Sequence, residues 1–258
     1  MEETIVFCRV LKWFFFAFGM STLASTATDF NAVLLRQIGT MPTGGGYATT
    51  TAAHSALTSS ARIGPTGVSI RPESAVPSYC SGATYLVFLK TLGDLQKSGS
   101  LSLTRSQWEA LLPAPMSDGH GLWGRWNANG PGTARLFHEL GLGRNFTSLA
   151  DARPGDFLKI FWTDAVGKNE RGHSVIFLGT ESRDGVESVR FWSSNKPGGY
   201  GEKSVARSKI ARMLFSRLES PQALPALEKL PESDRYLASL LKSESSFREA
   251  CALSGAIP

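Results

Sequence analysis

Cys80 lies in Pro77-Ser78-Tyr79-Cys80-Ser81-Gly82, directly ahead of the apolar run Ala83-Thr84-Tyr85-Leu86-Val87-Phe88-Leu89-Lys90. Leu86, Leu89 and Leu92 recur at helical spacing, and with Ser78 as N-cap the thiol falls in the first turn of a helix. There the free N–H groups and the positive end of the helix dipole stabilise the thiolate, which is the nucleophilic form of cysteine. A buried structural cysteine is the alternative, but Ser81 and Gly82 are small and suit an approachable thiol better. His173 supplies the matching chemistry, since imidazole cycles its proton near neutral pH. Acyl transfer needs a thiolate, such a base, and donors for a tetrahedral oxyanion. Cys80 and His173 fill the first two roles, and the Cys80 backbone N–H offers one oxyanion donor; the competing reading of His173 is a satisfied structural histidine.

The elements that must position these groups are legible as strands. Arg153-Pro154-Gly155 is a turn signal, and Asp156 then leads into Phe157-Leu158-Lys159-Ile160-Phe161-Trp162, which is apolar and rich in strand formers. A charged loop from Thr163 to Gly172 separates it from His173-Ser174-Val175-Ile176-Phe177-Leu178-Gly179, a second strand that begins with the histidine. A third, Ser188–Ser194, ends at Asn195 and the glycine-rich turn Pro197–Gly201. Three strands separated by turns predict an antiparallel sheet in which His173 and Asn195 sit side by side at strand ends.

These features resemble the NlpC/P60-type papain-like cysteine peptidases and amidases, enzymes that mostly act on cell-wall peptides. The resemblance rests on Tyr79-Cys80-Ser81-Gly82 at a helix start, Ala152-Arg153-Pro154-Gly155-Asp156-Phe157 leading into a strand, and Gly172-His173-Ser174-Val175-Ile176-Phe177-Leu178-Gly179. It spans roughly residues 77–205. It implies a papain-like α+β fold, in which a helix bearing the nucleophilic cysteine packs on an antiparallel sheet bearing the histidine. It further implies Cys80 as nucleophile, His173 as general base and Asn195 as the group that orients the imidazole, with Ser193, Ser194 or a backbone carbonyl as alternatives. The family often has aspartate before the cysteine, where this chain has Tyr79.

Gly119–Gly132 is dense in Trp, Asn and Gly. Its aromatic faces and amides suit a groove for sugar or peptide, or else a loop whose tryptophans cover the core. Tyr79, Ser81, Trp123, Trp126 and Asn127 are therefore the candidate substrate-binding residues. His120 is a candidate second-shell group or rival base, His138 reads as a helix-surface residue, and His54 as a solvated residue of a linker. No histidine has a partner at metal-ligand spacing, so neither a metal nor another cofactor is expected. Cys80 and Cys251 could pair in an oxidising compartment, but Cys251 reads as a packed residue of a terminal helix.

Residues 1–27 read as an export signal or N-terminal anchor, with Arg9 and Lys12 ahead of an apolar stretch and small residues from Ser21 to Ala27. Glu2 and Glu3 offset the two bases. Residues 28–76 read as a low-complexity linker or arm, because 40–75 is rich in Gly, Thr, Ser and Ala. Residues 77–205 read as the catalytic domain and 206–258 as a helical C-terminal extension, in which Leu237, Leu240 and Leu241 mark one helical face. Hydrophobic residues make up 42% and charged residues 19%, enough apolar material for a core and too little charge for a disordered chain. The net charge of +5 is spread out without aromatic interleaving, so no nucleic-acid partner is expected. The expectation is a monomeric, exported hydrolase of the cell envelope, with membrane association at most through its N-terminus. It would cleave an amide of peptidoglycan stem peptides through an acyl-enzyme. A catalytically silent wall-binding protein, and an acyltransferase or transglutaminase-like enzyme on the same scaffold, are the alternatives.

Overall fold

The computed structural model describes Met1 and residues 28–64 and 67–257; the segment read as an export signal or anchor over 1–27 lies, Met1 apart, outside the described residues. The chain begins with α1 (Phe30–Ile38), the two-residue strand β1 (Gly44–Gly45) and α2 (Thr51–Ser60). A hairpin of β2 (Ala61–Gly64) and β3 (Gly67–Ile70) leads to α3 (Cys80–Lys97). Three shorter helices follow, α4 (Arg105–Leu111), α5 (Gly121–Asn127) and α6 (Gly132–Leu140). Then come β4 (Gly143–Phe146), β5 (Phe157–Phe161), β6 (Val166–Gly167), β7 (Gly172–Arg183), β8 (Val186–Asn195), β9 (Gly199–Ala206) and β10 (Arg212–Leu218). The chain closes with α7 (Arg235–Ser239), β11 (Glu244–Ser245), α8 (Phe247–Leu253) and β12 (Ala256–Ile257).

Eight of these strands form one sheet in the order β1-β9-β8-β7-β5-β10-β4-β12. Every neighbouring pair is antiparallel except β12 beside β4. The architecture is thus α+β, with helices and a large antiparallel sheet. Alternation along the strands sorts side chains to two cores. Phe157, Ile176 and Trp192 join the helices in the larger core, whereas Leu158, Ile160, Val175, Phe177 and Phe191 form a second one. α3 is buried on nearly all sides, with Ala83, Tyr85, Leu86, Val87, Phe88, Leu89, Leu92 and Leu95 all enclosed. A helix apolar around its whole circumference belongs inside a domain, and here it fixes where its first residue, Cys80, can be. Among the described residues no helix is long and apolar enough to cross a membrane.

Two expected boundaries give way to the observed elements. Residues 28–76, read as a linker, carry α1, α2, β1 and the β2–β3 hairpin, and they bury Val33, Leu34, Ala53, Leu57, Ala61 and Ala75. The low-complexity reading missed that widely spaced apolar residues on two capped helices suffice to dock the segment. Asp29 caps α1 and Thr50 caps α2. Residues 206–258, read as a helical extension, contribute β10, which lies inside the sheet between β5 and β4. Its pattern Met213-Leu214-Phe215-Ser216-Arg217-Leu218 is buried throughout, so the strand lacks the polar alternation by which a half-exposed strand is recognised. In α7, Leu237 and Leu240 are buried as expected, but Leu241 is 51% exposed, because the helix stops at Ser239 and leaves it beyond the packed turn.

Candidate active site

Residues 75–79, which deliver Cys80 to the start of α3, are tied down from both sides. On one side, Ser78 N–H donates to the Gly46 carbonyl (3.1 Å) and Ala48 N–H to the Ser78 carbonyl (3.0 Å). On the other, the Ser78 hydroxyl donates to Ser194 Oγ at 2.8 Å, and the Tyr200 hydroxyl to the Ala75 carbonyl at 3.0 Å. Ser78 is therefore not the N-cap of α3. That position is Tyr79, in extended backbone and with no side-chain cap, so the first N–H groups of the helix stay free for another acceptor. Cys80 is the first helical residue and is partly exposed.

His173 is the second residue of β7, and Asn195 the last of β8. The pairings Ile176↔Trp192 and Phe177↔Phe191 set a register that, continued toward the strand ends, brings His173 opposite Asn195. Their side chains meet, with His173 Nε2 and Asn195 Oδ1 3.0 Å apart. The amide orientation follows from its other contacts. Asn195 Nδ2 donates to the carbonyls of Gly201 (2.8 Å) and Ser193 (3.3 Å), so its oxygen faces the ring. An amide oxygen only accepts, which places a proton on Nε2 and leaves Nδ1 for the sulfur. Of the alternative orienting groups, Ser193 Oγ donates to the Ser174 carbonyl at 2.7 Å and Ser194 is engaged with Ser78.

Burial pushes the Cys80 thiol up, but a hydrogen bond to His173, the charge of that ring, the Ser174 backbone N–H and the more distant Lys159 outweigh it. The net result is a fall from 9.0 to about 6. A helix dipole supplies ~0.3–2 kcal/mol at a helix end. At ~1.4 kcal/mol per pH unit that is too little for a fall of this size against burial, so His173 is the decisive partner. The arrangement can hold Cys80 as a thiolate at neutral pH, with His173 and free helix N–H groups beside it.

Tyr47 is a member of this site that sequence reasoning missed. Its hydroxyl donates to Cys80 Sγ at 4.0 Å, and burial together with the thiolate's charge pushes its phenol pKa up, so it remains a donor. The signal was Gly44-Gly45-Gly46 just before it. It is Gly199 that lets β1 lie close against β9, since a Cβ there would strike the Gly44 carbonyl oxygen, while a Cβ on Gly45 would meet Val76 Cγ1 at 2.5 Å.

The candidate substrate-binding residues divide. Tyr79, Trp123 and Asn127 line a cavity of about 530 Å³ with Thr51, His54 and Met116 among its other walls. Ser81 lies beside it, its hydroxyl donating to Asn127 Oδ1 at 2.6 Å. Trp126 is instead a core residue, 1% exposed, stacked on Phe88 at 5.0 Å and donating from Nε1 to the Ser81 carbonyl. Half of this stretch is α5, and its tryptophans fall on the helix face that packs inward. His54 is not in a linker. It sits on α2, and its Nδ1 lies 2.7 Å from the Tyr79 hydroxyl. His120 pairs with Ser117 Oγ at 2.9 Å, and His138 is exposed on α6, as expected. Cys251 is buried on α8, and both it and Cys80 are free thiols.

Another cavity, of about 370 Å³, is lined by Tyr47, Trp162, Arg171, His173, Phe191, Asn195, Lys196 and Lys203. Each recess has a wall residue beside Cys80: Tyr79, its chain neighbour, in one, and Tyr47 and His173, which interact with its sulfur, in the other. No family model matches the chain, and no curated protein or solved structure is significantly similar to it.

Proposed function

We propose that this protein is a papain-like, thiol-dependent amide hydrolase that acts on peptidoglycan stem peptides, exported to the cell envelope and working as a monomer. The observation that carries the reading is the row Cys80–His173–Asn195, with His173 Nε2 bonded to an amide oxygen at 3.0 Å and the same ring lowering the Cys80 thiol to about 6. In this reading the Cys80 thiolate attacks the scissile carbonyl carbon, and the new C–S bond leaves a negative charge on the carbonyl oxygen. The Cys80 backbone N–H stabilises that oxyanion, as a pre-aimed donor does in acyl transfer. His173, which takes up the thiol's proton as the thiolate attacks, gives that proton to the leaving nitrogen as the C–N bond breaks. His173 then takes a proton from water, which attacks the thioester and returns the thiolate. Asn195 keeps the ring in one tautomer and orientation throughout.

The cell-wall substrate rests on the resemblance of the three sequence motifs, and two recesses with walls next to Cys80 suit an extended substrate such as a peptide. Incubation of the full chain with purified peptidoglycan tests the reading. Release of soluble muropeptides, identified by mass spectrometry and absent with Cys80→Ala, is expected. Pelleting of the protein without any soluble product would make it a wall-binding protein instead.

A further inference from the structure

The two recesses beside Cys80 differ in charge. The Tyr79 side is lined by hydroxyl, aromatic and apolar groups, with no carboxylate, lysine or arginine among its walls. The Tyr47 side brings Arg171, Lys196 and Lys203 around His173, again with no carboxylate in its lining. The fold gathers these cations from three places. Arg171 immediately precedes β7, Lys196 follows Asn195 in the β8–β9 turn, and Lys203 lies opposite Phe191 in the β8–β9 register. Phe191 in turn lies against the His173 ring, with centroids 5.7 Å apart. Lys196 Nζ is held over the Tyr47 ring at 5.2 Å from its centroid. The acids nearest in sequence already have partners, Glu170 on Lys159 and Glu202 on Arg190. Among the described residues none of the three cations forms an ion pair.

The chemistry fixes which part of a substrate meets which recess. The group that protonates the leaving nitrogen must lie next to it, so the leaving fragment occupies the His173 side and the acyl fragment the Tyr79 side. We propose that the recess formed by Arg171, Lys196 and Lys203 is a subsite for carboxylates on the leaving-amine fragment, while the acyl side accepts an uncharged moiety. This rests on the hydrolase reading for its polarity and adds the charge class of the two halves of the substrate. Carboxylates suit such a site because guanidinium and ammonium groups donate charge-assisted hydrogen bonds to them, and unpaired cations around one recess raise the local concentration of anionic ligand.

Binding to the full chain carrying Cys80→Ala tests the subsite without any need for turnover. The probes are an N-acetylated acidic peptide of stem-peptide composition with free carboxylates and its fully carboxamide twin, both titrated calorimetrically at low ionic strength. The carboxylate peptide is expected to bind at least about tenfold more tightly, with the preference shrinking as salt is added. Adding Lys196→Gln and Lys203→Gln should bring the ratio close to one. Adding Lys90→Gln and Lys97→Gln, which line a different recess beside α3, should leave it intact. Equal affinity for the twins, no binding of either, or a preference that survives Lys196→Gln with Lys203→Gln would overturn the subsite. Failure of the hydrolase reading would show separately, as carboxylate preference in this assay with no soluble product from peptidoglycan.

Discussion

Asp156 and His173 stand at the starts of β5 and β7, two strands that pair with each other, and each is steadied by an asparagine from elsewhere in the chain. Asn31 Nδ2 donates to Asp156 Oδ1 at 2.8 Å, and Asn195 Oδ1 accepts from His173. From there the two centres diverge. Asp156 is wholly buried, and its carboxylate accepts from Arg217 Nε (2.8 Å) and Nη2 (2.6 Å) and from the Arg153 backbone N–H (2.7 Å). His173 is partly exposed, lines a recess and interacts with the Cys80 thiol. A polar cluster sealed by its own partners holds strands together, whereas one with a nucleophile facing open space can do chemistry.

Substitutions should separate these two centres by what they damage. Cys80→Ala should remove turnover entirely while changing unfolding free energy by less than ~1 kcal/mol, since alanine is a favourable helix residue at a partly exposed position. Denaturant unfolding with a muropeptide-release assay reads both quantities, and Cys251→Ala should keep activity. Were Cys251→Ala inactive and Cys80→Ala active, the nucleophile would be misassigned.

Asp156→Ala should do the reverse, costing ~3–5 kcal/mol of stability because it strands a buried guanidinium. The stability loss should precede any kinetic effect, so the variant ought to retain near-normal turnover below its lowered Tm. A Tm within a degree or two of the parent would show that the ion pair does not hold the sheet.

A smaller effect belongs to Asn195→Ala. An uncharged amide orients the imidazole without greatly changing its basicity, so turnover should fall about 10–100-fold, or ~1.4–2.7 kcal/mol of transition-state stabilisation. Stability should change little by comparison with Asp156→Ala. Full activity in this variant, with His173→Ala inactive, would move the orienting role to a backbone carbonyl.

The row Cys80–His173–Asn195 was legible as candidates because each member is announced locally. A small-residue turn before an apolar helical run marks Cys80, and strand-forming runs bounded by turn residues mark His173 and Asn195. What was not legible depends on partners far along the chain. The Arg-Pro-Gly-Asp turn reads equally well as a strand entry or a functional motif, and only Arg217, 61 residues away, turns Asp156 into a buried anchor. Tyr47 was hidden because a glycine run reads as flexible, whereas here that run pairs as β1 with β9, with Gly45 against Val76 and Gly199 of β9 against the Gly44 carbonyl. Trp126 misled for the opposite reason. The density of Trp, Asn and Gly around it in the chain suggested a groove, but in the fold its ring packs on Phe88, Tyr85 and Phe157 of the core helix and the sheet.

The central claim is that His173 holds Cys80 as a thiolate. It is tested most directly by the pH dependence of iodoacetamide alkylation of the full chain, with each cysteine followed by peptide mass spectrometry. Only the thiolate reacts, so the rate at Cys80 should climb as pH rises through its folded-state value and level off above it, giving a midpoint near 6. Cys251, whose thiol burial pushes up, should react slowly across the same range. In His173→Ala the hydrogen bond and the imidazolium charge are gone while burial remains, so the Cys80 midpoint should move above the ~8.5 of a free thiol. A parent midpoint near 8.5 or higher, unchanged by His173→Ala, would contradict the pairing on which the proposed function depends.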